Sequence, residues 1–231
     1  KAENALTDIE SLSVGRVSIG ATPGIGIYLA PEWVQRFRAR YPQLSVALHT
    51  GVTDQIVADV LARRLDIGFT EGELDDRQQG RLSSLVLDDV EQRVVVGAMH
   101  PLWDAGRVSL DDLHAQSFIM RQMHSQSRTW LERTLRQRGI EPHIGAEFDN
   151  LESIKRSLLM GQCIAVLPPY VVQSEVEQGT LRAIPVEGKP FTRSLQLIWQ
   201  STASLSPVTR AFLAELTPVY PALASMTPPV T

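Results

Sequence analysis

The chain has 231 residues, 43% hydrophobic and 21% charged, with a formal net charge of −4, enough length and apolar content for one large domain or two small lobes around a real core. The negative balance leaves no broad basic field for nucleic acid, and no apolar run approaches the roughly 20 residues that span a membrane. The one cysteine, Cys163, excludes an internal disulfide framework and suits a reducing cytoplasm.

Residues 1–13 place Ala2, Ala5, Leu6, Ile9 and Leu12 at helical spacing, a narrow seam that reads as a frayed surface helix or as the tail of a longer one. The start at Lys1 rather than at methionine reads as an excised or processed chain. From Gly15 the pattern changes. Val17–Gly20 predicts a strand and 21–26 a Gly/Pro turn, and Ala30, Val34, Phe37 and Tyr41 share one helix face that Pro42 terminates. Tyr28 and Trp33 lie beside that face, more apolar surface than one side of a helix needs, which predicts self-association. Val46–His49 predicts a second strand, Thr53 a cap for a helix carrying Ile56, Val57, Val60 and Leu61, and Asp66–Thr70 a third strand. Such alternation means βαβ units and a mostly parallel sheet.

The theme repeats. Arg93–Ala98 and Phe118–Met120 predict strands, and Ser125 or Ser127 a cap for a helix packing Trp130, Leu131 and Leu135. His143–Phe148 is the next strand, and Asn150 opens a helix with Leu151, Ile154, Leu158 and Leu159 inward, ended by Gly161. Ile164–Leu167 is a buried strand and Leu195–Trp199 a late one, and Pro207 starts a final helix with Val208, Ala211, Phe212 and Leu216 on one face. The Pro/Thr-rich tail after Pro218 is expected to be loosely ordered. The pattern is that of two α/β lobes of similar build.

Catalytic signatures fail on inspection. Gly20, Gly24 and Gly26 follow a strand, but a dinucleotide fingerprint counted from Gly24 needs a small residue where Leu29 stands, and the second strand ends in His49 rather than an acid. A phosphate-binding Gly-Lys-Ser/Thr and a serine-hydrolase elbow are absent from the sequence. His49, His100, His114, His124 and His143 never pair at metal-ligand spacing, and Glu71, Glu73, Asp75 and Asp76 fit no calcium loop and read as a solvated loop. Cys163 reads as a small buried hydrophobe, and Arg128, Arg133, Arg136 and Arg138 as a solvated or partner-facing helix surface. The expectation is therefore no metal, no cofactor and no enzyme activity. In open parallel sheets ligands sit beyond the strand carboxyl ends, near helix amino ends with unpaired N–H groups. Those positions carry Thr22 and Pro23, Thr50 and Gly51, Phe69 and Thr70, and Arg121 with Ser125, Gln126 and Ser127. They form a hydroxyl-rich cage suited to a small anion, without the acid–base pair that turnover needs.

The segments GRVSIGATP, LAPEWVQRFRARYPQLSVALHTG and VADVLARRLDIGFTEG, then AMHPLWDAGRVSLDDL, FDNLESIKRSLLMGQCIAVLPPYVV, VEQGTLRAIPV, RSLQLIW and LSPVTRAFLAEL, resemble the effector-binding region of LysR-type transcriptional regulators. The resemblance is collinear over residues 15–217. It implies two Rossmann-like lobes joined by two crossover strands, similar to type 2 periplasmic binding proteins, with a small effector in the groove between them. Lobe I would be residues 15–85 plus 192–218, lobe II 86–191, residues 1–14 the end of a linker helix, and 219–231 a flexible tail. The effector groove would take Thr22, Thr50, Thr70, Arg121, the Ser125–Ser127 turn, Phe148 and Asn150. Two departures stand out: Pro23 removes a donor beside Thr22, and Gln162-Cys163 replaces the family's x-Gly. The resemblance also implies a cytoplasmic protein, a homodimer of this module, a homotetramer at full length, and DNA contact only through an N-terminal winged helix-turn-helix domain that this chain lacks. A periplasmic-type solute-binding protein and, less favoured, an enzyme on the same scaffold are the competing readings.

Overall fold

A computed structural model describes residues 14–74 and 80–226. The seam at residues 1–13, Asp75 and Asp76 of the acidic loop, and residues 227–231 of the tail lie outside the described residues. The chain forms two compact units, the first reaching to Asp89 and resuming at Ser194, the second spanning Val90–Arg193. These boundaries differ by a few residues from those expected at 85/86 and 191/192. Each falls inside a strand, β4 (Leu82–Gly97) or β9 (Phe191–Gln200), so these two strands carry the chain between units.

In the first unit β1 (Gly15–Ala21) lies parallel to β2 (Leu44–Thr50) and to β3 (Ile67–Glu71). The later part of β9 then pairs antiparallel with β3, Gly68 opposite Ile198. Val17, Ile19 and Ala21 of β1 are wholly buried, as are Ile67 and Phe69 of β3, which is why both strands read as apolar runs. Residues 21–26 are not a plain turn. Pro23 opens a short helix, α1 (Pro23–Tyr28), because its fixed φ suits a first helical position where no N–H is required. The helix α2 (Ala30–Arg40) follows at once. In α3 (Thr53–Leu61) the cap position belongs to Val52, whose backbone is extended, while Thr53 is the first helical residue and is buried. Phe37 is wholly buried, 5.4 Å between ring centroids from Phe212 of α8 (Pro207–Leu216) and 5.1 Å from Tyr41. Trp33, expected as surplus surface, is instead only 3% exposed. It packs against Phe69 at 4.9 Å and edge-on to Tyr220 at 5.7 Å. Tyr220 and Leu223 are buried and lead into a 3₁₀ turn, Pro221–Ser225, so the start of the expected loose tail is packed. Burial, with the charges of Asp88 and Glu32, pushes the Tyr220 hydroxyl up to about 12.

In the second unit the later part of β4 pairs antiparallel with β7 (Ala165–Leu167) and β8 (Leu181–Ile184), and β5 (Ser117–Arg121) runs parallel to β6 (His143–Phe148). The helices are α4 (Leu110–His114), α5 (Gln126–Gln137), α6 (Leu151–Met160) and α7 (Gln173–Glu177). Ser109 and Asp112 form a capping box on α4. Val94, Val96, Phe118, Leu135, Ile164 and Phe191 anchor the core. Leu159, expected inward, is 39% exposed, because the α6 core face is carried by Leu151, Ile154, Lys155 and Leu158. Gly97 lies so close to the backbone carbonyl of Leu158 that a Cβ there would collide with it. Among the described residues, the non-glycine positions with positive φ are Arg63 and His124. Cys163 is not one of them, so the turn before β7 does not need the family's glycine.

Candidate functional site

Each unit presents one set of the sequence-selected residues. In the first, the parallel register sets Ala21 beside Phe69, and the Thr22 N–H donates to the Phe69 carbonyl at 3.0 Å. Thr22 and Thr70 are therefore neighbours at the carboxyl ends of β1 and β3. A Cβ on Gly20 or on Gly68 would meet Ile56 of α3, at 3.0 and 2.8 Å. Alternation along a strand then puts Thr22 and Thr70 on that same α3-facing side. Thr70 is wholly buried, and the hydroxyl oxygens of Thr22 and Thr70 are both buried without a hydrogen-bond partner among the described residues. Leaving a buried hydroxyl unpaired costs about 1–3 kcal/mol, so two at the same strand ends need an explanation. The amino end of α3 points the same way, as in any βαβ unit, and Val52 at its cap has no side chain that could satisfy the first-turn N–H groups.

The remaining first-unit positions play different parts. Thr50 is exposed, and a Cβ on Gly26 would come within 2.6 Å of its hydroxyl, so that glycine makes room for the threonine. The Gly51 N–H is already committed to the Ala21 carbonyl at 3.1 Å. Pro23 supplies no donor and starts α1. The Phe69 ring is wholly buried against Trp33, so its side chain is core, and its carbonyl is the group it brings to the strand end.

In the second unit Arg121 closes β5, with its Nε buried and without a hydrogen-bond partner among the described residues. Burial draws the guanidinium below its ordinary pKa, and the nearby Asp149 charge opposes that shift. The group remains a cation, partly stripped of water. The next turn is held by Gln122 N–H to Phe148 carbonyl (2.9 Å), Met123 N–H to Glu147 carboxylate (3.3 Å) and Ser125 N–H to Gln122 carbonyl (3.2 Å). His124 takes a left-handed φ of 68° there. Ser125 occupies the cap position of α5 but makes no side-chain cap bond. Its buried hydroxyl pairs with that of Ser127 at 2.8 Å, correcting the expectation that either serine caps the helix. Gln126 is exposed at the first helical position. Phe148 is half-buried. The Asn150 carbonyl accepts from Ser153 N–H at 2.8 Å, so this side chain caps α6.

Of the arginines expected on a solvated or partner-facing surface, Arg133 and Arg136 are exposed, whereas Arg128 and Arg138 are half-buried. Arg128 donates to Glu132 at 2.7 Å, to Glu147 and to the Arg121 carbonyl at 3.2 Å. Those carboxylates raise its pKa, and the Arg128 hydrogen bond lowers that of Glu147. Arg136 pairs with Glu141 and Glu132, and Arg138 lies over the Phe191 ring at 4.3 Å. Arg121 is thus the partly buried cation on this strand end with a donor still to satisfy. No group of three His, Cys, Asp or Glu among the described residues could hold a metal ion, and no helix among them is long and apolar enough to cross a membrane. The Gly26–Thr50 fit and the Asp149–Arg121 proximity have no signal in the one-dimensional sequence.

Two α/β units strung on paired crossover strands, with hydroxyls and a cation at strand carboxyl ends, define a binding module of the periplasmic-binding-protein type. The LysR substrate binding domain family matches residues 10–220, and the chain belongs to it. A probable RuBisCO transcriptional regulator of Nostoc sp. is 25% identical over 219 residues, 94% of this chain and 65% of that protein. One from Emiliania huxleyi is 28% identical over 197 residues, 84% of this chain and 63% of that protein. This chain thus spans under two thirds of the length of these relatives. Among solved structures, the CcmR regulatory domain of Synechocystis PCC6803 in complex with 2-PG has a TM-score of 0.80 at 22% identity, covering 89% of this chain and 97% of that one. The effector binding domain of QuiR in complex with shikimate has a TM-score of 0.77 at 19% identity, covering 90% and 98%. At these identities the likeness establishes the fold.

Proposed function

We propose that this domain binds a small anionic metabolite as an effector and that binding controls a cytoplasmic, DNA-binding LysR-type transcriptional regulator. The observation that carries the reading is the set of unsatisfied buried donors at the strand ends: the Thr22 and Thr70 hydroxyls in one unit and the Arg121 Nε in the other. Thr50, Gln126, Ser127 and the half-buried Phe148 complete the two effector-contacting sets. Ser125 holds Ser127, and Asn150 and the Phe69 ring shape the surroundings. CcmR and QuiR, each solved with a small molecule, support the reading by fold. An effector that prefers one conformation shifts the population toward it in proportion to that preference. DNA contact is assigned to a winged helix-turn-helix domain elsewhere in the full protein. The domain itself carries out no turnover.

A thermal-shift screen of small carboxylates, oxyanions and sugar phosphates comes first. A ligand at 100 times its Kd adds about 2.7 kcal/mol of stability. Calorimetric titration of the hit against Thr70→Val and Ser127→Ala is the decisive step. Losing one hydrogen bond to a charged ligand costs about 1.5–3 kcal/mol, so Thr70→Val is expected to weaken binding roughly ten-fold or more. Its ligand-free stability should hold or rise, because the hydroxyl removed is already unpaired. Unchanged affinity in both variants would remove the proposed site.

Self-association is proposed through α1, α2 and β2, as in the family. With Trp33 buried, the support is β2 as an edge strand with half-buried Val46, Ala47 and Leu48, and Ile27 at 47% exposure. Sedimentation at high micromolar concentration should show a dimer, and a strictly monomeric species would end this claim.

A further inference from the structure

His100 is only 3% exposed, although it lies in the turn that leaves β4. Its backbone N–H donates to the Gly97 carbonyl at 3.0 Å, and its carbonyl accepts from Trp103 at 2.9 Å. Its ring Nδ1 accepts from the Leu102 N–H at 3.1 Å. That last bond requires a neutral imidazole with the proton on Nε2. The Nε2 atom is buried without a hydrogen-bond partner among the described residues, and the Gln116 side chain and the Gln162 backbone lie close enough to the ring to bear on its charge. The turn matters to the unit because Leu102, Trp103 and Ala105 pack against its core.

We propose that His100 is an acid-sensitive latch, whose neutral ring holds the 99–105 turn on the second unit and whose protonation releases it. A second ring proton would set two donors, Nδ1–H and the Leu102 N–H, face to face in a buried turn. Asp112 and Asp104 pair with groups other than the His100 ring. Asp112 of α4 accepts from the Ser109 N–H and hydroxyl at 2.9 and 2.6 Å, and Asp104 pairs with Arg182 of β8 at 3.6 Å. Arg182 also donates to the Trp103 carbonyl at 2.8 Å and lies over its ring at 4.7 Å. Cys163 adjoins Gln162, and His114 is exposed on α4. Burial lowers the His100 pKa below its ordinary value, and the Gln116 and Gln162 contacts offset part of that.

The linkage has a definite sign. A histidine depressed in the closed turn takes up a proton on opening, so the latch is fully effective above the ordinary value of about 6.5 and weakens as pH falls through it toward the closed-state value. Within that window each pH unit multiplies the opening constant by up to ten. Hydrogen exchange of the Leu102, Trp103 and Ala105 amides, corrected for the intrinsic pH effect, should accelerate up to ten-fold per unit below about pH 6.5. His100→Asn places an amide oxygen near the Nδ1 position and should flatten this dependence. NMR titration of His100 in the unmodified chain gives an independent readout, expected below the ordinary histidine range. A His100 that titrates at or above 6.5, or an Asn variant with the unmodified chain's pH profile, would overturn the proposal.

Discussion

Arg121→Met is expected to weaken binding of an anionic effector by about 1.5–3 kcal/mol, roughly ten- to a hundred-fold, while leaving the ligand-free domain at least as stable. The two halves of this expectation share a cause. The guanidinium at the end of β5 is held partly out of water with its Nε unsatisfied, and burial already opposes its charge. A charge kept in that state is a cost in the empty domain and a preorganised donor in the filled one. Methionine keeps the length of the stem and removes the cost. Asp149 loses its neighbouring cation, but that carboxylate is exposed and water can screen it. Arg128 should not substitute, because Glu132 and Glu147 hold it. Calorimetric titration beside a denaturant melt separates the two halves. An affinity left intact would remove Arg121 from the site, and a loss of more than about 1 kcal/mol in the melt would make it structural.

Much of this was legible where the signal is local. Pro207 does open α8, His143–Phe148 is the strand β6, and Asn150 does cap α6, because a cap, a proline or an alternating run acts within a few residues. Thr22, Thr70 and Arg121 could be selected as candidate site residues for a similar reason, since strand–helix alternation alone fixes which residues stand at strand carboxyl ends. The failures are non-local. Of β4, only the stretch from Arg93 was visible. The strand begins at Leu82, but Asp88, Asp89, Glu91 and Gln92 in its middle, where it passes from one unit to the other, interrupt the apolar pattern. Trp33 looked like surplus surface because its partners, Phe69 and Tyr220, are far away in sequence. Tyr220 looked like tail for the same reason. The Ser125–Ser127 hydroxyl pair displaced a cap that the sequence rule favours, a choice visible only in three dimensions.

Phe37→Ala and Phe118→Ala should each cost about 3–5 kcal/mol, but in different parts of the molecule. Both rings are wholly buried. Phe37 joins α2 to α8 through Phe212, deep in the first unit. Phe118, on β5, belongs to the cluster of Val94, Leu135, Ile164 and Phe191 in the second. Removing either ring leaves a cavity that rigid neighbours only partly close, which is why the cost exceeds simple transfer of the side chain. Hydrogen exchange should then report locally. Phe37→Ala is expected to lower protection first in β1, β3 and α8, and Phe118→Ala in β5, β7 and the core-facing turns of α5. Losses near 1 kcal/mol would mean that these sites collapse around the missing ring. Uniform loss of protection across all strands in both variants would mean that the two units share a single unfolding step.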